Sequence, residues 1–294
     1  MNPQATAAIV AAAVSTVGGI IGVVIQLAMA RRERLRKEAQ EEQDRQERAE
    51  EVRSRYRDPL LNSAWALQSR IYNIVAKAMF GQPAENAPRR NGRSYAQEST
   101  LYVLAEFLGW LEILRREVQF LDLGDEEHTK RINRVLYGIR DLIAQNDPRF
   151  GSAFRLFRIE QRAVGELMIE SVTVGKESRF QCIGPAAFAS RLDTAEFRQW
   201  FEQVENSLTE LVLAQRGAFA RLALLQNWIL VFMSLLDPHG VNLAGSRRAL
   251  PVPEEFTAFT PAARLSREMP GEPLRGTMEL ARVDAAGDGL LKWR

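Results

Sequence analysis

Charged and amide side chains fall where apolar ones are due. The row Phe157, Val164 and Leu167 passes through Glu160, the row Leu108, Leu111 and Val118 passes through Arg115, and Gln68 stands beside Leu61, Ala64 and Tyr72. A carboxylate or guanidinium inside a helical bundle is costly unless it is paired. Gln68, Arg115 and Glu160 are therefore expected to meet as one polar network, with Glu112 and Arg162 at its edge. That network would either fix helix register or line a ligand pocket, and in the second case a Glu/Arg pair could serve an enzyme.

Other chemistry has little to draw on. The single cysteine, Cys182, excludes an intramolecular disulfide and a cysteine zinc cluster, each of which needs at least two thiols. The two histidines are His128 and His239, and His128, in the acidic run Asp125–His128, reads as a solvated first-turn residue rather than a ligand. Phosphate-loop, dinucleotide, zincin and serine-hydrolase signatures do not occur, and the Glu-x-x-His pair of a di-iron bundle is not found. No catalytic residue, metal site or cofactor is assigned, and a binding role is preferred to an enzymatic one. A net charge of +2 in a chain that is 26% charged lacks the basic excess of a dedicated nucleic-acid binder, so no nucleic-acid partner is expected.

The elements that must hold these residues are helical. Residues 1–30 carry no charged side chain, and Ala5 to Ala30 form an apolar run long enough to cross a bilayer as one helix. The alternative, a cleaved signal peptide, lacks its charged leading region here. Arg31, Arg32, Arg34, Arg36 and Lys37 follow at once, which places the N-terminus outside and the body in the cytoplasm of a single-pass membrane protein. The same basic cluster suits anionic lipid head groups. Gly18 and Gly22 make a GxxxG pair, and with Ser15 and Gly19 they offer a face for homo-oligomerisation within the membrane.

Residues 31–57 hold ten Lys/Arg and eight Asp/Glu, with Glu33 to Lys37, Glu41 to Arg45, Asp44 to Arg48 and Glu51 to Arg55 in the favourable i,i+4 order. They are expected to form a charged, solvated helical stalk. Residues 58–240 are expected to fold as an all-α bundle of five or six helices. The first opens at Asp58-Pro59 and stops at Gly81; Gly81 to Ser94 is a loop; the second covers Ala96 to Leu121. The third opens at Gly124-Asp125, the fourth covers Ser152 to Ser171, and Ala186 to Leu192 adds a short one. A long run from Glu196, capped by Asp193 and divided near Gly217, ends at Asp237-Pro238. Val172 to Pro185 is expected to be an exposed connection, and no strand is expected. Leu222 to Leu236 is apolar enough to raise a second membrane span, but Arg221, Gln226 and Asn227 favour a core helix.

Residues 241–294, with five of the twelve prolines and little periodicity, are expected to form a disordered tail. Five lysines against thirty-four arginines, with abundant alanine, point to a G+C-rich coding sequence and a bacterial origin. Together these features describe a membrane-anchored helical interaction or sensing module. The competing class is a toxin- or defence-type effector that acts on the membrane by oligomerising.

Overall fold

A computed structural model describes residues 29, 31–41, 43–44, 55–77, 79, 87–117, 126–174, 177–211, 216–240 and 248–268. The expected membrane helix, its small-residue face at Ser15, Gly18, Gly19 and Gly22, and the end of the tail beyond residue 268 lie outside the described residues. The chain divides into two units, residues 1–54 and 55–294. In the first, residues 31–41 are helical with every side chain exposed, Arg31, Arg32, Arg34, Arg36 and Lys37 among them.

The second unit is mostly helical. Its described helices are α1 (55–76), α2 (Tyr95–Glu117), α3 (Glu126–Ala144), α4 (Arg158–Leu167), α5 (Pro185–Arg191), α6 (Ala195–Leu211), α7 (Arg216–Leu236) and α8 (Pro261–Glu268). The all-α reading holds. The helices outnumber the expected five or six because the long run from Glu196 comprises two, α6 and α7, and α8 lies in the supposed tail.

Most of the described apolar rows land on the inside. Leu67, Ile71 and Ile74 of α1 face Thr100 and Leu104 of α2, Val204 of α6, and Leu222 and Leu225 of α7. Helix α2 packs on α4, and α3 packs on α7. Aromatic rings tie α2 to α5 and α6, with Phe188 5.5 Å from Tyr102 and 5.4 Å from Phe201 between ring centres. Trp228 is buried, while Trp65, Trp110 and Trp200 pack on the core from its margin. The strongly apolar α7 is the central core helix: 89% of its most apolar window is buried inside the protein.

Arg221 explains how a cation fits there. It is 1% exposed, and it donates to the carbonyls of Leu142 (2.9 Å), Gln145 (3.1 Å) and Gly151 (3.2 Å), capping the C-terminal end of α3. Leu142 lies in the last turn of α3 and Gln145 just beyond it, where carbonyls run short of intrahelical donors and the helix dipole favours a cation. Burial draws its pKa down, and the charge of Arg155 adds to that.

Several boundaries differ from expectation. α1 is already helical at residue 55, so Asp58-Pro59 lies inside it instead of starting it. Residues 88–94, expected to be loop, contain a hairpin of β1 (Pro88–Arg90) and β2 (Arg93–Ser94). Its two-residue turn, Asn91 (φ 50) and Gly92 (φ 80), needs the left-handed conformation that Asn-Gly adopts at low cost. A second antiparallel hairpin, β3 (Ile169–Val174) with β4 (Glu177–Cys182), replaces most of the expected exposed connection, pairing Ile169 with Cys182 and Ser171 with Phe180. The β-branched residues of IESVTV suit a strand, and β4 rests on α2.

Helix α4 starts at Arg158, six residues later than expected. Ser152 to Phe157 is irregular, with Phe154 at φ 56 and its N–H bonded to Ser207 Oγ (2.9 Å), and Phe157, expected inside, is 44% exposed. Thr194, not Asp193, accepts the first-turn N–H of α6 from Phe197 (3.4 Å), while Asp193 binds Arg93 and Asn91. The long run is divided near Gly217 as expected, α6 ending at Leu211 and α7 starting at Arg216; a β-carbon on Gly217 would stand 2.3 Å from the Arg149 carbonyl.

Residues 248–267 are not a loose tail. Gln226 of α7 donates to the Arg248 carbonyl (2.8 Å) and accepts from the Leu250 N–H (3.1 Å), Asn227 donates to the Leu250 carbonyl (3.2 Å), and the Trp228 indole donates to the Phe259 carbonyl (3.0 Å). Leu250, Phe256 and Leu265 are buried, Phe256 with its ring 4.7 Å from that of Phe150.

Candidate functional site

The densest charge cluster is built where α4 crosses α2. Gly165 makes the crossing close, since a β-carbon at that position would lie 2.7 Å from the Leu108 carbonyl and 3.0 Å from Glu112 Cβ. The approach covers Glu112, which is 2% exposed. A carboxylate in that position needs donors, and its own helix supplies them three and four residues on. Arg115 binds it with two hydrogen bonds, Nε to Oε2 (2.8 Å) and Nη2 to Oε1 (2.6 Å), and Arg116 Nε donates to Oε1 (3.0 Å). Arg162 reaches across from α4, its Nε 3.8 Å from Oε2. Burial pushes the Glu112 carboxyl up, and the Arg115 and Arg116 hydrogen bonds outweigh it, so its pKa is lowered and it stays ionised.

The cluster continues in both directions. Glu166 of α4 lies 3.1 Å from Arg116 Nη2 and 3.9 Å from Arg162 Nη2. On the other side Arg140 of α3 is largely covered, and burial lowers its pKa, with the charge of Arg158 adding to the effect. Asp141 then joins Arg264 of α8 (2.6 Å) and Arg158 (3.7 Å). Six guanidiniums (Arg115, Arg116, Arg140, Arg158, Arg162 and Arg264) stand against three carboxylates (Glu112, Asp141 and Glu166), a surplus of three positive charges. Arg115, Arg158 and Arg162 are each more than 40% exposed. Guanidiniums fixed on a carboxylate and open to solvent can bind phosphate or carboxylate groups bidentately.

The structure brings Glu112, Arg115 and Arg162 together but separates them from Glu160 and Gln68. Glu160 is not paired with Arg115: it sits in the first turn of α4, where its carboxylate accepts the Phe157 N–H (2.6 Å). The late start of α4 turns an expected core position into a helix end. Gln68 is buried in α1 and meets Gln226 (3.3 Å) and Ser69 (2.9 Å), as part of the clamp on residues 248–250. Sequence reasoning missed Arg116, Arg140, Asp141, Arg158, Glu166 and Arg264. Arg116, four residues beyond Glu112, and Glu166, four beyond Arg162, were legible from spacing.

Elsewhere, the Cys182 thiol is pushed up by burial and by the charge of Glu106, leaving it protonated and a poor nucleophile. Among the described residues no group of three or more His, Cys, Asp or Glu could hold a metal. A polar groove of about 350 Å³ is lined by Ser152, Gln199, Glu202, Gln203, Asn206 and Ser207, and an enclosed apolar gap of about 20 Å³ lies between α1, α2 and α7. Gln68, Glu112, Arg115, Glu160 and Arg162 line neither. Compared with known protein families, curated proteins and solved structures, the chain finds no match.

Proposed function

We propose that this chain is a single-pass membrane-anchored interaction module, with its N-terminus outside and its helical body in the cytoplasm, that binds an anionic partner through the arginine face of α2, α3 and α4. The observation that carries the reading is Glu112: a covered, ionised carboxylate that holds Arg115 and Arg116 in place, with the Arg115 side chain still 42% exposed. A carboxylate so held is spent on positioning, which favours recognition over acid–base chemistry. The uncharged run from Ala5 to Ala30 and the basic residues after it supply the anchor and its orientation. Association of anchors through Ser15, Gly18, Gly19 and Gly22 would multiply the face.

The test uses the full chain in detergent with inositol hexakisphosphate as the polyanion. Saturation is expected to raise the melting temperature by about 5–10 °C. Arg158→Gln with Arg162→Gln should abolish the rise, and Arg198→Gln on α6 should keep it. No rise with the unaltered chain would overturn the binding face. Release of the full chain from membranes by alkaline carbonate would overturn the anchor.

A further inference from the structure

The arginine face also carries apolar side chains where water should have excluded them. Among the described residues of the second unit four large apolar ones are exposed, and three of them, Tyr137 (60%), Phe157 (44%) and Ile159 (66%), stand on α3 and at the start of α4; the fourth is Phe180. Gln161, Val164 and Gly165 are the buried side of α4, so Ile159, Arg162 and Glu166 form its outer side. Arg158 lies over the Tyr137 ring at 4.6 Å and Arg155 over the Phe157 ring at 5.0 Å. Apolar tips are thus interleaved with guanidiniums over one continuous surface.

We propose that this surface docks on an anionic phospholipid bilayer, with Ile159 and Phe157 entering the head-group layer and Arg158 and Arg162 engaging lipid phosphates. The proposal rests on the reading of this face as an anion-binding surface and names its partner. Interfacial membrane binding needs this combination: apolar area buried at the head-group boundary and basic residues attracted by the negative surface potential. An acidic peptide would satisfy the arginines but gives no reason for the exposure of Ile159. The chain brings its own bilayer within reach. In the anchored reading, the 24 residues 31–54 tether this surface to the bilayer, and the tether makes weak docking effective by raising the local concentration of lipid.

The experiment places the full chain, as Ile159→Cys in a Cys182→Ser background, in lipid nanodiscs with an environment-sensitive fluorophore on the new thiol. Discs of phosphatidylcholine are compared with discs containing phosphatidylserine, each with a spin-labelled lipid as quencher. Blue-shifted, quenched emission is expected in the anionic discs alone, and a label at Ser190→Cys on α5 should not respond. Arg158→Gln with Arg162→Gln should weaken docking about 30-fold, each arginine contributing about fivefold. Identical emission in the two lipids, or quenching that survives the double substitution, would overturn the proposal. So would a response to soluble polyglutamate but not to anionic discs, which would assign the face to an acidic protein. If inositol hexakisphosphate still stabilises the chain while the Ile159 label does not respond, the bilayer docking falls and the anion-binding face stands; if neither responds, both fall.

Discussion

The indole of Trp228 occupies the space a side chain at Gly138 would need. A β-carbon on Gly138 would lie 2.4 Å from both Cη2 and Cζ3 of the ring, and the same indole donates to the Phe259 carbonyl. Gly138 therefore sets the separation of α3 and α7. Gly138→Ala should destabilise the protein by about 1–3 kcal/mol through overpacking, more than the helix propensity it gains. Urea unfolding of the variant would measure it, and an unchanged midpoint would mean that α3 and α7 can part.

Glu112 and Arg115 should be strongly coupled, and Glu160 and Arg115 should not. Glu112→Gln is expected to cost about 1–3 kcal/mol and to be non-additive with Arg115→Gln. Glu160→Ala should cost about 1 kcal/mol as the loss of a helix-start contact, and it should add to Arg115→Ala. The folded pKa of Glu112 lies below its unfolded value, so its contribution is complete above the unfolded value and is lost as pH falls through the folded one. The stability gap between the unaltered chain and Glu112→Gln should close below about pH 4.

Arg221→Met keeps the volume of the side chain and removes its donors, leaving the carbonyls of Leu142, Gln145 and Gly151 without their cap. A loss of about 1–3 kcal/mol is expected, because the buried Leu142 carbonyl keeps only the Gln145 N–H and the half-buried Gln145 carbonyl loses its donor. Arg221→Lys should recover part of it, because a cation remains at the end of α3. Equal losses for the two variants, measured by chemical unfolding, would contradict the capping role.

Phe256→Ala should cost about 3 kcal/mol and lower the melting temperature by about 6–12 °C, because its ring is buried against Phe150. A loose tail would give no change. Protease cleavage between residues 250 and 265 should rise in the variant and be slow in the unaltered chain.

Cys182 should react with a disulfide reagent at neutral pH more than about tenfold more slowly in the folded chain than in urea, since each unit of raised pKa removes about a factor of ten of thiolate. A native rate equal to the unfolded one would place the thiol in water, away from Glu106 and α2.

The sequence by itself determined what depends on spacing along one chain segment. Leu104, Leu108 and Leu111, or Ile132, Val135 and Ile139, recur with the helical period, and the same residues line the core. The stop before Asp237-Pro238 follows from the chemistry of proline, and the core placement of Leu222 to Leu236 from the cost of Arg221 in lipid. The Asn91-Gly92 turn was equally local, and its hairpin was legible there. Only the tertiary structure decided which polar groups meet. Arg221 caps a helix that ends 77 residues earlier, Gln226 clamps a segment that composition alone left loose, and Arg162 meets Glu112 because Gly165 lets α4 approach α2. Burying apolar surface is non-directional and leaves a periodic trace in the sequence. A hydrogen bond or ion pair is set by a few tenths of an ångström between distant residues, and nothing in the spacing of either partner records it.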